Sequence, residues 1–359
     1  MTDSLPPRVA RPGSFGRALQ LLVRRRRTTV VVVILGVLLL VGIFADELAS
    51  DLPLVCSVHG EIYIAPNVTH PRALAGYDHD RIAAEGGWSF GPLVHYGPEA
   101  SSGNALVPPL SVAAHPLGTD ENGRDVFARL VHGARMTLGV ALLAVAAFVA
   151  VGLLLGATTG FFGRRLDFIV ARVIETLSSF PVPIVVLVVQ TLVVKPGVLS
   201  FLATIALLRW TEVARLVRAE VLSVSSADYV LAARALGASP ARVLRRHVLP
   251  MAVTPAIVTG VLGVGQVVLL ESALDFLRVG LPSTIPSWGE MLSESRDHFS
   301  AWWLLLFPGT LVFLVAVATN SIGEALRDGL DPHQVHAGDA ARENLGLRPA
   351  LRESGDTAP

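Results

Sequence analysis

The amino-acid sequence predicts an all-α integral membrane protein with about six transmembrane helices and a mixed outer loop segment. Of its 359 residues, 52% are hydrophobic and only 16% are charged, whereas soluble domains carry about 25% charged residues. The charges are concentrated between long apolar runs, and a helix needs about 20 apolar residues to cross the hydrocarbon core. The apolar runs are 30–45, 136–162, 182–194, 197–208, 251–270 and 301–322.

The first apolar run follows a block of four arginines, Arg24 to Arg27. A basic block before an apolar run is also typical of a signal peptide, but the apolar part of a signal peptide is usually shorter than this one. We therefore predict an uncleaved first transmembrane helix at 28–45, preceded by a cytoplasmic tail at 1–27. Residues 46–135 then form an outer, periplasmic segment.

The third and fourth apolar runs, 182–194 and 197–208, are the shortest and reach spanning length only with their polar flanks. Either each run crosses the membrane or the two form one interfacial hairpin, and the sequence leaves both arrangements open. Arginine favours the cytoplasmic side of a membrane, and six spans with both termini cytoplasmic place most arginines there. This topology gives a five-helix core at 136–323 and a cytoplasmic, largely disordered tail at 324–359.

Within the outer segment, the stretches 54–58 and 61–64 flank His59 and Gly60. This pattern predicts a short β-hairpin with glycine in its turn. Cys56 is the only cysteine of the chain, which excludes an intramolecular disulfide and a cysteine-based metal cluster. The histidines of the segment lack helical ligand spacing, so no metal site is predicted.

Residues 228–250 read DYVLAARALGASPARVLRRHVLP, a pattern that predicts two short helices around a turn. Gly237 can adopt the left-handed conformation that ends a helix. Ser239 and Pro240 are typical of the cap and the first position of the next helix. Pro250 is expected to break this second helix before the fifth span.

In the spacing of its paired alanines, its glycine and its final Leu-Pro, this stretch resembles the EAA loop of ABC import permeases, which sits in a cleft of the ATPase subunit. Leu231 stands where that family carries Glu, a departure that many peptide-type permeases share. The resemblance implies that the ATPase-coupling residues are Asp228, Tyr229, Ala232, Ala233, Gly237, Leu249 and Pro250.

Residues 115–135 read HPLGTDENGRDVFARLVHGAR, a polar turn that leads into a helix. This stretch resembles the signature ahead of the second helix in the dipeptide, oligopeptide and nickel permeases of binding-protein-dependent ABC importers. Shorter resemblances at 286–289, 301–309 and 326–332 extend the match toward the C-terminus. The insertion at 53–110 loosely resembles oligopeptide permeases that also import microcin C.

The resemblance implies a type I ABC importer permease fold, in a multi-pass protein of the bacterial inner membrane. The implied partners are a second, different permease subunit, two ABC ATPase subunits, an extracytoplasmic solute-binding protein, a di- or oligopeptide and the lipid bilayer. Nickel or another small solute is the alternative within the family. An ion-coupled secondary transporter is the alternative of another class, and it would call for internal repeats. The formal net charge of zero gives no indication of a nucleic-acid partner.

The chain is expected to hold no catalytic residue and no cofactor of its own. A P-loop needs a lysine before Ser or Thr to hold phosphates, but the only lysine, Lys195, precedes Pro196. ATP and Mg²⁺ would therefore bind to the partner ATPases.

Ionisable residues at membrane depth are functional candidates by default. Arg172 and Glu175 are one helical turn apart, as are Arg209 and Glu212, so each pair is predicted to neutralise itself in a structural or interfacial role. The predicted residues of the translocation path are Gln266 and Gly263, in the fifth span.

Overall fold

Long helices make up most of the computed structural model, which describes residues 26–193 and 197–330. The longer helices are α1 (Arg26–Ile43), α5 (Val126–Phe162), α6 (Arg164–Ser178), α7 (Val182–Leu192), α8 (Val198–Ser225), α11 (Leu249–Phe276) and α13 (Trp303–Leu330). The short helices are α2 (Ala45–Leu48), α3 (Pro66–Thr69), α4 (His79–Ala84), α9 (Asp228–Ala235), α10 (Pro240–Val243) and α12 (Trp288–Glu294), with a 3-10 turn at Arg72–Leu74 and a π-helical segment at Leu244–Val248. The strands are β1 (Val55–Val58), β2 (Glu61–Ile64) and β3 (Trp88–Phe90).

Four helical segments of the described chain are long and apolar enough to cross a membrane, namely Arg26–Ile43, Val126–Phe162, Pro240–Phe276 and Trp303–Gly329. A fifth crossing is added if α6 and α7, which meet at a bend of 83°, count as one broken span. These segments confirm the predicted helical membrane class. The helix α8 has 28 residues, a length of about 42 Å, but it carries Arg209 and Glu212 near its middle and is not one of these segments. The number of membrane-spanning segments reaches the predicted six only when α8 is counted as one of them.

The third and fourth apolar runs lie in two separate helices, α7 and α8, which pack against each other. The helix α7 has only 11 residues, a length of about 16 Å. It is therefore too short to cross the hydrocarbon without α6, whose apolar residues lie on one face.

Helix boundaries differ from the predicted domain limits at two places. The helix α5 starts at Val126 rather than at 136, because the carboxylate of Asp125 accepts a hydrogen bond from the Ala128 N–H at 2.8 Å and caps the helix. At the other end of the core, α13 continues through residues 324–330, the first part of the predicted tail. Residues 1–25 and 331–359, which hold most of the two predicted tails, lie outside the described chain.

The most extensive helix contact of the described chain is between α5 and α8. Gly152, Gly156 and Gly160 recur every four residues on the face of α5 that meets α8. A Cβ atom at Gly156 would lie 2.5 Å from the carbonyl oxygen of Ala214 and 2.9 Å from Cβ of Val217. Small residues at this spacing allow the backbones of two membrane helices to approach closely. This contact places the charged middle of α8 inside the bundle.

The helix α11 packs against α5, α8 and α13. Its Gly263 leaves room for the ring of Phe148, since a Cβ there would lie 2.7 Å from Cζ of that ring. On another face of α11, a Cβ at Gly265 would lie 3.2 Å from Cα of Ala316 in α13. The helix α1 completes the bundle by packing against α5 and α13. The helix α5 is thus the common neighbour of the described spans.

The outer segment contains a small antiparallel sheet in which β1 lies between β2 and β3. The predicted hairpin is confirmed, because Val58 pairs with Glu61 around His59 and Gly60, whose φ angles are 52° and 85°. Two consecutive positive φ angles are typical of a tight hairpin turn. Below the sheet lies a separate apolar core formed by Leu52, Cys56, Val58, Leu74 and Ile82. Within it Cys56 is fully buried, and burial raises the pKa of its thiol.

We expect Gly156→Val to separate α5 from α8, because the new side chain meets the backbone of Ala214. Overpacking of this kind costs about 1–3 kcal/mol, measurable as a lower melting temperature of the purified protein in detergent. Gly139→Val is the matched control on the same helix, since a Cβ at Gly139 meets nothing within 4 Å. Equal melting temperatures for the two variants would contradict this account of the contact.

Candidate functional site

A turn at Gly237 joins the short helices α9 and α10. Gly237 has a φ of +84°, its N–H donates to the carbonyl of Arg234 at 3.0 Å, and the N–H of Ala238 donates to the carbonyl of Ala233 at 3.1 Å. This geometry confirms that Gly237 ends the first helix in a left-handed conformation. Ser239 occupies the N-cap position of α10 and Pro240 its first position, as predicted, although the Ser239 hydroxyl makes no capping hydrogen bond.

The second half of the stretch is continuous with the following span. The prediction that Pro250 breaks the helix is wrong, because the π-helical segment links α10 to α11, and Pro250 lies in the first turn of α11. Pro250 directly follows the π-helical segment Leu244–Val248, where the regular i→i−4 hydrogen-bond ladder is already interrupted, so its missing N–H does not break the helix. The segment Pro240–Phe276 is consequently one helical rod.

The loop at 228–250 has one side that is buried and one that is open. Val230, Val243 and Val248 are fully buried against the bundle, whereas Leu236 is 89% exposed. Leu231 projects on the exposed side as well. Large exposed apolar side chains on a loop are candidates for contact with another protein.

The residues predicted to couple the chain to an ATPase lie together on this loop. Asp228, Ala232, Gly237 and Pro250 are exposed, and Tyr229, Ala233 and Leu249 are half-buried. Three further exposed side chains give the surface a positive rim, namely Arg242, Arg245 and Arg246. The loop therefore combines an apolar projection with basic surroundings.

A second site, which the sequence did not indicate, is a buried ion network between the N-terminal end of α5 and α12. The guanidinium groups of Arg124 and Arg129 meet the carboxylates of Asp120, Glu290 and Glu294. Arg129 is 1% exposed, and its Nη1 donates to Glu294 Oε2 at 2.7 Å. Burial raises the pKa of Glu294, and the neighbouring arginines counter that rise only in part. The network joins residues about 160 positions apart in the chain.

Trp288 connects the same two regions by packing and by a hydrogen bond. Its Nε1–H donates to the carbonyl oxygen of Leu130 at 3.0 Å. Gly133 makes room for the indole, since a Cβ there would lie 2.9 Å from Trp288 Cδ1. The stretches 115–135 and 286–289 therefore pack against each other at the N-terminal end of α5.

A third polar cluster lies in the middle of the helices. The Nη2 of Arg209 donates to Glu212 Oε2 at 3.1 Å and to Gln266 Oε1 on α11, and the guanidinium lies 5.7 Å from the ring centroid of Phe148. The predicted pair of Arg209 and Glu212 thus extends to a second helix. Gln266 is exposed, whereas Gly263 is buried under Phe148. Their assignment to a translocation path stays a prediction.

Comparison with known proteins gives a family match and matches to individual relatives, each over part of this chain. Residues 152–334 match the protein family described as "Binding-protein-dependent transport system inner membrane component". The dipeptide transport system permease protein DppC of Alkalihalophilus pseudofirmus is 38% identical over 235 residues, which cover 65% of this chain and 76% of that protein. DppC of Bacillus subtilis is 36% identical over 222 residues, which cover 61% of this chain and 69% of that protein.

Among solved structures, a chain of a crystal structure described as an amino acid ABC transporter with histidines is 17% identical, with a TM-score of 0.43. The match covers 57% of this chain and 94% of that chain.

We expect Arg129→Met to destabilise the protein by about 3–5 kcal/mol, because it leaves buried carboxylates without their counter-charge. The measurement is the melting temperature of the purified protein in detergent. Arg278→Met serves as the control, because Arg278 pairs with Asp297 through side chains that are 56% and 51% exposed, and such pairs contribute at most about 1 kcal/mol. A similar loss for both variants would show that the network does not stabilise the outer side.

Proposed function

We propose that this chain, which belongs to the family of inner membrane components of binding-protein-dependent transport systems, passes di- or oligopeptides through the membrane. The family makes it a permease subunit of an ABC importer, and its described helices fit a multi-pass membrane protein. The peptide assignment draws support from the relatives named as dipeptide permeases, at 38% and 36% identity.

In this proposal, ATP is hydrolysed by two separate ATPase subunits, and a second permease subunit completes the pathway. A solute-binding protein delivers the peptide to the outer face, where the ion network braces the ends of α5 and α12. Both termini lie on the cytoplasmic side, together with the loop at 228–250. The exposed arginines of that loop support this orientation, because arginine is enriched on the cytoplasmic side.

The observation that carries the coupling role is the exposed apolar projection of the loop at 228–250, with Leu236 at 89% exposure. An ATPase cleft that receives Leu231 and Leu236 removes their apolar surface from water. Movement of that cleft is transmitted through the buried side of α10 to α11, because the two helices form one rod. The proposed mechanism is a rigid-body movement of the bundle rather than a local unfolding.

We expect Leu236→Asp to abolish co-purification of the ATPase subunits, because binding in a cleft would bury an unpaired charge. The permease should still insert and fold, because the side chain at position 236 is exposed. Leu110→Asp is the matched control on the outer segment, where Leu110 is 87% exposed. The assay is affinity purification of the tagged permease from membranes, with quantification of the bound ATPase. Normal recovery of the ATPase with the Leu236 variant would remove the coupling role from this loop.

Cells that lack this chain should lose uptake of labelled dipeptides and regain it when the chain is supplied again. The solute is tested by measuring labelled dipeptide and nickel uptake side by side in the deletion strain. Loss of nickel uptake with unchanged dipeptide uptake would favour the nickel alternative. Uptake that survives ATP depletion but collapses with the proton gradient would instead favour a secondary transporter.

A further inference from the structure

Arg209 places a permanent positive charge in the middle of the helical bundle. It stands 11 residues after the start of α8, about 16 Å along the helix axis. Gln266, its partner on α11, also lies in the central part of its helix. A charged group at this depth is costly in lipid and normally marks a ligand or ion pathway.

The cluster around Arg209 has one closed side and one open side. Phe148 covers the guanidinium on the side of α5, and Gly263 gives that ring its place. The side chain of Glu212 is 45% exposed, and Gln266 is exposed beside it. Because exposure of a carboxylate to lipid is unfavourable, the open side faces water or a protein partner rather than acyl chains.

The guanidinium is also only partly engaged by its two acceptors. Glu212 and Gln266 both contact the same nitrogen, Nη2, so neither of them occupies Nε or Nη1. A guanidinium presents five N–H donors in a planar fork that matches the two oxygens of a carboxylate. The neutral amide oxygen of Gln266 is a weaker acceptor than a carboxylate, because charge-assisted hydrogen bonds are stronger.

We propose that Arg209 binds the C-terminal carboxylate of the peptide during its passage, with Gln266 holding the guanidinium in place when the path is empty. A peptide carboxylate displaces the Gln266 oxygen from Nη2 and binds that nitrogen together with Nε or Nη1 beside it. Glu212 balances the charge of Arg209 in the empty state. This inference rests on the proposed peptide transport and names the group of the substrate that the mid-membrane cluster recognises.

The chain offers a matched control in the other arginine–glutamate pair. Arg172 and Glu175 are likewise three residues apart, with their nearest N and O atoms at 2.6 Å. Their side chains are 63% and 58% exposed, and the other side-chain contact described for Arg172 is the ring of Phe168, in the same helix α6. Replacing Arg172 removes one positive charge, as replacing Arg209 does, but it removes no side-chain contact to a second helix.

The test uses the complete transporter in proteoliposomes, with its partner permease, ATPases and binding protein. The probes are labelled Ala-Ala and the C-terminal amide of Ala-Ala. The variants are Arg209→Gln, Arg209→Lys, Gln266→Glu and Arg172→Gln, each checked for assembly by gel filtration. The measured quantity is the ratio of the uptake rates of the free and the amidated peptide. Any preference of the binding protein is common to all variants and cancels when their ratios are compared.

We expect Arg209→Gln to lower this ratio about tenfold or more, since a hydrogen bond to a charged group is lost. Arg209→Lys should keep part of the preference, because it retains the charge without the fork. Gln266→Glu should also lower the ratio, because the new carboxylate competes with the peptide for Arg209. This variant tests the inference if Arg209→Gln does not assemble. Arg172→Gln should leave the ratio unchanged.

An equal fall in the uptake of both peptides with Arg209→Gln would overturn the inference, because it would indicate a structural or gating role. A ratio unchanged from that of Arg172→Gln would overturn it as well. If the wild-type transporter imports neither peptide, the proposed function fails and this inference fails with it.

Discussion

Two membrane helices gain little from apolar contact with each other, because the surrounding lipid chains are equally apolar. Close approach of their backbones is what holds them together, and in this bundle the glycines of α5 supply it against α8. The consequences extend beyond that pair. The position of α8 brings Arg209 to α11 and Phe148, and its C-terminal end leads directly into the loop at 228–250. The charge cluster in the middle of α8 and the exposed loop at 228–250 therefore both depend on one helix contact.

The outer side is fixed in a different way. Charged groups taken out of water stabilise a structure only when their partners are all in place, and removal of one partner is costly. The network of Arg124 and Arg129 with three carboxylates has this all-or-none character. It ties the turn before α5 to α12. Glycine packing between α5 and α8 and ion pairing between the start of α5 and α12 thus both hold the helices together.

Sequence patterns predicted the features that depend on local chemistry. The hairpin at His59 and Gly60 and the helix end at Gly237 follow from backbone conformations that neighbouring residues determine. The helix α5 begins at Val126, ten residues before the apolar run at 136, and its first turns include the charged residue Arg129. Its counter-charges come from Glu290 and Glu294, which are more than 150 residues away, and spacing along the chain gives no indication of such a partner.

The only cysteine of the chain, Cys56, is fully buried below the outer sheet. Since burial raises the pKa of its thiol, little reactive thiolate is present near neutral pH. The unmodified chain is therefore expected to react little with thiol reagents. A cysteine introduced at any exposed position becomes the single reactive thiol, and its modification by a reagent that cannot cross the bilayer reports which compartment that position faces. Helix-by-helix topology is thus accessible in intact cells without first removing any native residue.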